Sequence, residues 1–359
     1  LKNYAKIIGI GSYVPERVLT NSNIEHMRPD GVEPENWTND DWIFSRTGIK
    51  ERRIAQLHEG SSDLMVKAAR RALLDANLTI DQIDLIVTST SFPDNGFNVP
   101  RTGEIFGSKI NAKPETLIIE ENAACAGSTW ALERARMEMI IHKYTHVLVV
   151  SGDKVSASVD YEDRSTCILF GDGAGAVVLE RGNCAGILKT IRQNDTQYLD
   201  SIEIPGGGSA LPMTQKLLEQ HAQFMHMPGG KNMIEVMGGK ILPQIYEEMS
   251  RQVFKIKYVI PHQANIRIIN LAKKKIERQL AKTGKTLGTI FFTDNIEIYG
   301  NTSGSSIFLA LDTLYHQGLL EPGDLLLLVG FGAGFVYGAN LLVWTKEKFK
   351  SKEGPSMGD

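Results

Sequence analysis

Short apolar runs alternate with amphipathic stretches along most of the chain. Leu85-Ile86-Val87, Leu117-Ile118-Ile119, Val147 to Val150 and Val177-Val178-Leu179 have the length and composition of buried strands. Helices are predicted over about 62–76, with Ser61 and Ser62 as natural N-caps, and over 128–142. After residue 185 the rhythm restarts. A helix over 233–249 leads to a strand over 258–260, and another helix covers 264–282. Residues 296–299 read as a further strand, before a helix over 305–316 and closing strands over 325–329 and 337–344. Such alternation predicts an α/β fold with a mostly parallel sheet covered by helices on both faces.

A faint repeat accompanies it. Phe170 to Ala176 (FGDGAGA) leads into Val177-Val178-Leu179, and Phe331 to Phe335 (FGAGF) leads into Ala339 to Trp344. Each is a glycine-rich turn before a terminal strand, which suggests two halves, 1–182 and 183–359. Glycine turns before strands are common, so the repeat alone does not require duplication. The stretch 193–231 reads as a polar, irregular excursion. Residues 22–41 and 282–292 have the character of inserted loops.

Composition narrows the class. The 359 residues suit one large domain or two ordinary ones, and 42 % hydrophobic with 23 % charged residues is globular usage. Net charge is −3, which argues against a general nucleic-acid binder. No apolar run approaches the ~20 residues of a membrane span, and the N-terminal residues show no signal pattern. The cysteines Cys125, Cys167 and Cys184 form no CxxC pair, so a reducing, cytoplasmic setting and no metal site are expected. The 34 glycines exceed average usage of about 7 %.

Three positions could carry chemistry. Cys125, in Asn122 to Ser128 (NAACAGS), lies between a predicted strand and a helix, where the helix dipole favours thiolate. His262, in Pro261 to Arg267 (PHQANIR), lies at a second such junction, and Asn301, in Tyr299 to Ser306 (YGNTSGSS), at a third. Taken singly, a buried structural thiol, a satisfied loop histidine and a helix-capping asparagine are the commoner fates. Together, at the carboxyl ends of strands in an open sheet, they face one crevice. The cysteine could take an acyl group, and the other two could donate to an oxyanion.

These three segments resemble the active-site motifs of the β-ketoacyl-[acyl-carrier-protein] synthase III family. Gly11 to Pro15 (GSYVP), Trp42 to Arg53 (WIFSRTGIKERR), Asp163-Arg164 and Phe170 to Gly175 add to the likeness, in order, over about residues 5–345. The resemblance implies a thiolase-like fold, with duplicated βαβαβαββ halves in an αβαβα layered sandwich. It also implies a homodimer that needs no cofactor. Its reaction would be a decarboxylative Claisen condensation of an acyl-CoA with malonyl-acyl carrier protein, starting fatty-acid synthesis. Cys125 would be acylated, and His262 and Asn301 would bind the malonyl thioester carbonyl. The N–H groups of Cys125 and Gly334 would form an oxyanion hole. Trp42, Arg46 and Arg164 would hold the CoA nucleotide, with Asn265 and Arg267 at the pantetheine channel.

Between residues 264 and 285, Arg267, Lys273, Lys274, Lys275, Arg278, Lys282 and Lys285 face a single acid, Glu277. A solvated helix face is the ordinary reading of such a run. Directly after the His262 motif it suits an acidic carrier protein, and the scarcity of aromatic residues argues against nucleic acid.

The chain departs from the family in four places. The two inserted stretches should border the mouth of the site. Residues 92–101 (FPDNGFNVPR) replace a segment that closes the acyl pocket across the dimer, and Ser128 stands where Phe is common. Starter length is therefore open, as is a specialised ketosynthase or acyltransferase role in secondary metabolism with another donor or acceptor. Non-decarboxylative acyl transfer, a Cys-His-Asn hydrolase and a non-catalytic binding homologue are the competing readings. The first and last fit poorly with an intact His262/Asn301 pair. The hydrolase lacks the local cysteine signature.

Overall fold

The computed structural model describes residues 4–183, 185–251, 255–284 and 286–349; Cys184 and Lys285 lie outside the described residues. The strands are β1 (Tyr4–Tyr13), β2 (Val18–Thr20), β3 (Glu51–Arg53), β4 (Leu85–Ser89), β5 (Leu117–Glu121), β6 (His146–Asp153), β7 (Gly173–Gly182), β8 (Ile187–Asn194), β9 (Tyr258–Pro261), β10 (Ile290–Phe291), β11 (Leu325–Gly332) and β12 (Val336–Val343). They build two five-stranded sheets, ordered β1-β7-β6-β4-β5 and β10-β9-β11-β12-β8, while β2 and β3 form a small ribbon.

Read from opposite ends, the two sheets are the same object. β1–β7 and β8–β12 are antiparallel, as are β7–β6 and β12–β11. The pairs β6–β4, β4–β5, β11–β9 and β9–β10 are parallel. Every strand of the first sheet precedes residue 183, and every strand of the second follows it.

Strand faces alternate between cores. Val147 and Val149 of β6 and Leu326 and Leu328 of β11 point into a central core, which also takes Ala131, Leu132 and Ala135 of the Gly127–His142 helix. The same core holds Ile307, Phe308 and Leu311 of the Ser306–His316 helix. Leu148 and Val150 point instead to the Ser61–Asp75 and Thr102–Ile110 helices. Leu327 and Val329 point to the Leu242–Ser250 and Ile266–Ala281 helices. The layers are thus helix, sheet, paired helices, sheet, helix, as the thiolase-like αβαβα reading requires. Burial on both faces explains why the strands are unbroken apolar runs.

Close packing of the central helices accounts for part of the glycine excess. A Cβ on Gly175 would stand 2.4 Å from the Phe308 Cβ, and one on Gly171 2.4 Å from the Tyr299 carbonyl oxygen. The glycines after Phe170 therefore let the second half's helix lie against β7.

Several local expectations change. Residues 296–299 are not a strand but part of a helix, Asp294–Tyr299, closed by Gly300 at φ +63. The Ile296/Ile298 pair fits either period over so short a stretch. Packing decides it, because Ile296 buries into a cluster with Ile49 and Phe170. The edge strand is β10, within the supposed basic loop. Gly60, not Ser61 or Ser62, is the N-cap of its helix: Asp63 accepts from the Gly60 N–H at 2.8 Å, and the Ser61 hydroxyl donates to the Phe92 carbonyl. The helix expected over 233–249 contains a π-helical segment, Ile234–Ile241.

Candidate active site

Cys125 lies in a single 3-10 turn, Ala124–Ala126, that runs directly into the Gly127–His142 helix after β5. Ala124 before it has φ +44, outside ordinary helical space, so the thiol is set on a tight turn. The surroundings leave no room for larger neighbours. A Cβ on Gly332 would fall 2.6 Å from the Cys125 nitrogen, and one on Gly127 2.0 Å from the Ser89 hydroxyl. Burial, with Asp153 nearby, pushes the Cys125 thiol up to about 12. The dipole of the following helix and the Ser303 hydroxyl, 3.6 Å from Sγ, act in the opposite direction.

His262 follows β9, and its N–H donates to the Val329 carbonyl of β11 at 2.7 Å. Its Nδ1 meets the Ser306 hydroxyl at 2.6 Å, and that hydroxyl oxygen also accepts from the Gln263 N–H at 3.2 Å. Burial alone pushes His262 down to about 3, so the ring is neutral at physiological pH.

Asn301 does not sit between a strand and a helix, as its sequence context suggested, but between two helices. The first half grips it: the Asn301 N–H donates to the Leu169 carbonyl at 2.9 Å, and its own carbonyl accepts from Gly171 at 3.0 Å. Its side-chain oxygen accepts from the Ser303 N–H at 2.9 Å, which leaves the amide NH₂ for the cavity.

Cys125, His262 and Asn301 line one cavity of about 730 Å³, together with Arg46, Asn265 and Arg267. Asn265 also caps the following helix, its side chain accepting from the Arg267 N–H at 2.9 Å. From the 331–335 turn the cavity is lined by Phe331, Gly332 and Ala333; Gly334 is not among its lining residues. Trp42 stands at the side, with the Arg46 guanidinium 4.4 Å and the Arg164 guanidinium 4.0 Å from its ring centroid. Arg164 is fixed from behind by the Asn36 carbonyl at 3.1 Å.

The stretch 22–41 is accordingly a built support rather than a loose loop. Trp37 is buried within it and donates to the Ile24 carbonyl at 3.1 Å. Lys273, Lys274 and Lys275 are exposed on the helix whose other face buries Ile268, Ile269, Ala272 and Ile276. Ser128 is buried and donates to the Gly304 carbonyl at 2.7 Å, tying the cysteine helix to the Asn301 loop.

Sequence reasoning missed several participants. Ser303 and Ser306 stood in the Asn301 motif but carried no signal beyond turn chemistry. Asp153, buried at the end of β6, lies in no motif. The 193–231 excursion proves to be a cavity wall: Ile202, Ile204, Met225 and Met227 line it. An antiparallel bridge between Glu203 and His226, with Met225 N–H donating to the Ser158 carbonyl at 2.8 Å, pins that wall. Only its clustered methionines hinted at an apolar surface. Arg52, inside the Trp42 motif, is a buried structural group held by the Asn21 side chain at 2.8 Å and by the Leu19 and Ile168 carbonyls.

A thiol on a helix N-terminus, faced by a neutral histidine and an asparagine amide in a duplicated αβαβα frame, defines a thiolase-fold condensing enzyme. Residues 119–196 match the family described as 3-oxoacyl-[acyl-carrier-protein] synthase III, and residues 247–344 match its C-terminal part. The chain is 38 % identical over 346 residues to β-ketoacyl-[acyl-carrier-protein] synthase III of Clostridium acetobutylicum, covering 96 % of this chain and 100 % of that one. The Clostridioides difficile protein of the same name is 37 % identical over 95 % of this chain and 98 % of its own. The crystal structure of 3-oxoacyl-[acyl-carrier-protein] synthase III from Aquifex aeolicus superposes with a TM-score of 0.76 at 34 % identity, covering 95 % of this chain and 100 % of that one. The priming β-ketosynthase of the R1128 polyketide pathway gives 0.80 at 29 %, covering 96 % and 97 %. The chain belongs to the β-ketoacyl-[acyl-carrier-protein] synthase III family.

Proposed function

We infer that the chain is an acyltransferase that condenses an acyl-CoA starter with malonyl-acyl carrier protein, releasing carbon dioxide and giving the 3-oxoacyl-carrier protein that begins fatty-acid synthesis. The observation that carries this reading is the convergence of Cys125, His262 and Asn301 on one cavity, with the histidine held neutral. A neutral ring cannot serve as a strong acid, but it can donate from Nε2. With the Ser306 hydroxyl, which accepts from the Gln263 N–H, donating its own proton to Nδ1, the ring carries its proton on Nε2. The Asn301 amide supplies the second donor. Two neutral donors on the thioester carbonyl stabilise the enolate formed as the carboxylate leaves, and no base is required.

The enolate carbon bonds to the acyl carbon of acyl-Cys125 as the acyl carbon–sulfur bond breaks, and Cys125 leaves as the thiolate. The Cys125 N–H is one oxyanion donor. The turn after Phe331, where Ala333 lines the cavity and Gly334 follows it, offers the second. Trp42, Arg46 and Arg164 offer a ring and two guanidinium planes for an adenine nucleotide, while Asn265 and Arg267 border the pantetheine path. Lys273 to Lys275, exposed beside Arg267, suit an acidic carrier protein. Catalysis needs no metal or organic cofactor. Halves 1–182 and 183–359 are equivalent units, the first supplying the nucleophile and the second the carbonyl donors.

Phe97 and Val99 are 69 % and 75 % exposed on the segment that follows Phe92, a cavity residue. That apolar pair beside the site favours a homodimer. No helix among the described residues is long and apolar enough to cross a membrane. A cytoplasmic enzyme acting without nucleic acid or membrane partners fits the reaction.

Incubation with labelled acetyl-CoA and malonyl-carrier protein tests the reading. Carbon dioxide release with a 3-oxoacyl product is expected. Labelled Cys125 without carbon dioxide would point instead to simple acyl transfer. A donor series from acetyl- to long-chain acyl-CoA fixes the starter.

A further inference from the structure

Asp153 takes no part in the condensation as described, yet it reaches the nucleophile from behind. It ends β6 and is buried. Its Oδ1 accepts from Thr90 Oγ1 at 2.8 Å, the Ser91 N–H at 2.7 Å and the Phe92 N–H at 3.3 Å. The Ser303 hydroxyl also acts on this carboxylate, favouring its charged form. The same hydroxyl lies 3.6 Å from Cys125 Sγ. Ser303 is buried and held at φ +53, a left-handed conformation that a serine adopts only when its surroundings impose it. The Asn301 side chain imposes it by accepting the Ser303 N–H at 2.9 Å.

The charges around this group give little help. Lys154, next along the chain, turns its Nζ away to the Gln56 and Glu59 carbonyls, each at 2.7 Å. Glu121 faces Arg134 at 3.9 Å. Arg46, Arg267 and Glu203 line the cavity, and His262 is neutral. A thiolate and a carboxylate separated by one hydroxyl, without a cation between them, cannot both be charged cheaply. One negative charge shared by the two is the arrangement this interior tolerates.

We propose that Ser303 relays the Cys125 proton to Asp153, so that the thiol and the carboxylate share one negative charge and the nucleophile forms without losing a proton to solvent. The thiol proton passes to Ser303 Oγ as the serine proton passes to Asp153. The thiolate then bonds to the acyl carbon while the carbon–sulfur bond to CoA breaks. The proton on Asp153 returns through Ser303 to the departing CoA thiolate, and Asp153 is a carboxylate again. Ser303, which touches Sγ, is the catalytic residue; Asp153 acts through it as a positioning residue. The inference rests on Cys125 being the nucleophile of the proposed reaction.

Iodoacetamide alkylation of Cys125 in the full chain, followed against pH, tests the relay without needing acyl-CoA. Acetyl transfer from labelled acetyl-CoA, measured separately, shows whether Cys125 is acylated at all, so the two ideas fail independently. Two tautomers with equal proton counts make the wild-type rate nearly flat over about two pH units around neutrality. Asp153→Asn and Ser303→Ala are expected to react roughly 10²-fold more slowly at neutral pH. Their rates should climb about tenfold per pH unit, as for a thiol ionising directly to water. If Asp153 merely repels the thiolate, Asp153→Asn reacts faster than wild type, and the relay is wrong. A steep wild-type profile overturns it as well. Should Asp153→Asn fail to fold, Ser303→Ala carries the same comparison, since it leaves the Ser91 and Phe92 N–H donors to Asp153 in place.

Discussion

Ser306 Oγ stands 2.6 Å from His262 Nδ1, although the two residues are 44 positions apart and belong to different elements. The serine opens a central helix, while the histidine follows a strand of the second sheet. Packing of that helix against the sheet is therefore what gives the histidine its partner at Nδ1. Replacing Ser306 by Ala removes the donor to Nδ1. Decarboxylation of malonyl-carrier protein is expected to slow by up to about 10²-fold, while acetylation of Cys125 from acetyl-CoA stays near the wild-type rate. Separate assays of the two half-reactions check this, and equal losses in both would contradict it.

Asn301→Ala removes a carbonyl donor outright. A loss of about 10²–10³ in decarboxylation is expected, together with slower Cys125 acylation where Ser303 is no longer held. The side-chain oxygen also holds Ser303, so Asn301→Asp, which keeps that acceptor, separates loss of the donor from loss of the loop. Single-turnover measurement of carbon dioxide release reads the effect.

Burial lowers the His262 pKa to about 3, well below the ordinary value of 6.5. Between those values the unfolded chain binds a proton that the folded one refuses. The neutral ring is therefore no penalty above about pH 6.5, and folded stability falls as pH drops toward 3. This one group contributes a slope of at most about 1.4 kcal/mol per pH unit in that window. His262→Asn should flatten the dependence of urea midpoints on pH below 6.5; an unchanged slope would mean that the ring is protonated in the folded state.

Gly175→Ala places a methyl 2.4 Å from the Phe308 Cβ, between β7 and the central helix. Overpacking of roughly 1–3 kcal/mol is expected, read as a lower denaturant midpoint with unchanged m-value. Gly31→Ala, where a Cβ meets nothing within 4 Å but φ is +82, separates backbone strain from packing.

Arg164 stacks 4.0 Å from the Trp42 ring centroid and holds the Asn36 carbonyl. Arg164→Ala is expected to raise the KM for acyl-CoA about tenfold, on the scale of a desolvated cation–π contact. The malonyl half-reaction should be unaffected. Steady-state kinetics with each substrate varied in turn gives the answer, and a fall in kcat at constant KM would contradict a binding role.

The apolar runs by themselves determined most strands and the long helices, because elements buried on both faces leave little ambiguity of type. The motifs around Cys125, His262 and Asn301 were legible too, as unusual residues in glycine-rich junctions. Residues 296–299 were not: over so few positions an apolar pair fits either period, and only the burial of Ile296 settled on a helix. Nor could the sequence place Ala333 rather than Gly334 at the cavity, since neighbouring positions of a tight turn differ only in direction. Asp153 and Ser306 were invisible as site residues because their partners are distant in the chain. What the tertiary structure decided is this long-range pairing. Two copies of one sheet topology bring a strand end, a helix start and a strained serine within hydrogen-bond reach, and local sequence carries no record of which remote group will face which.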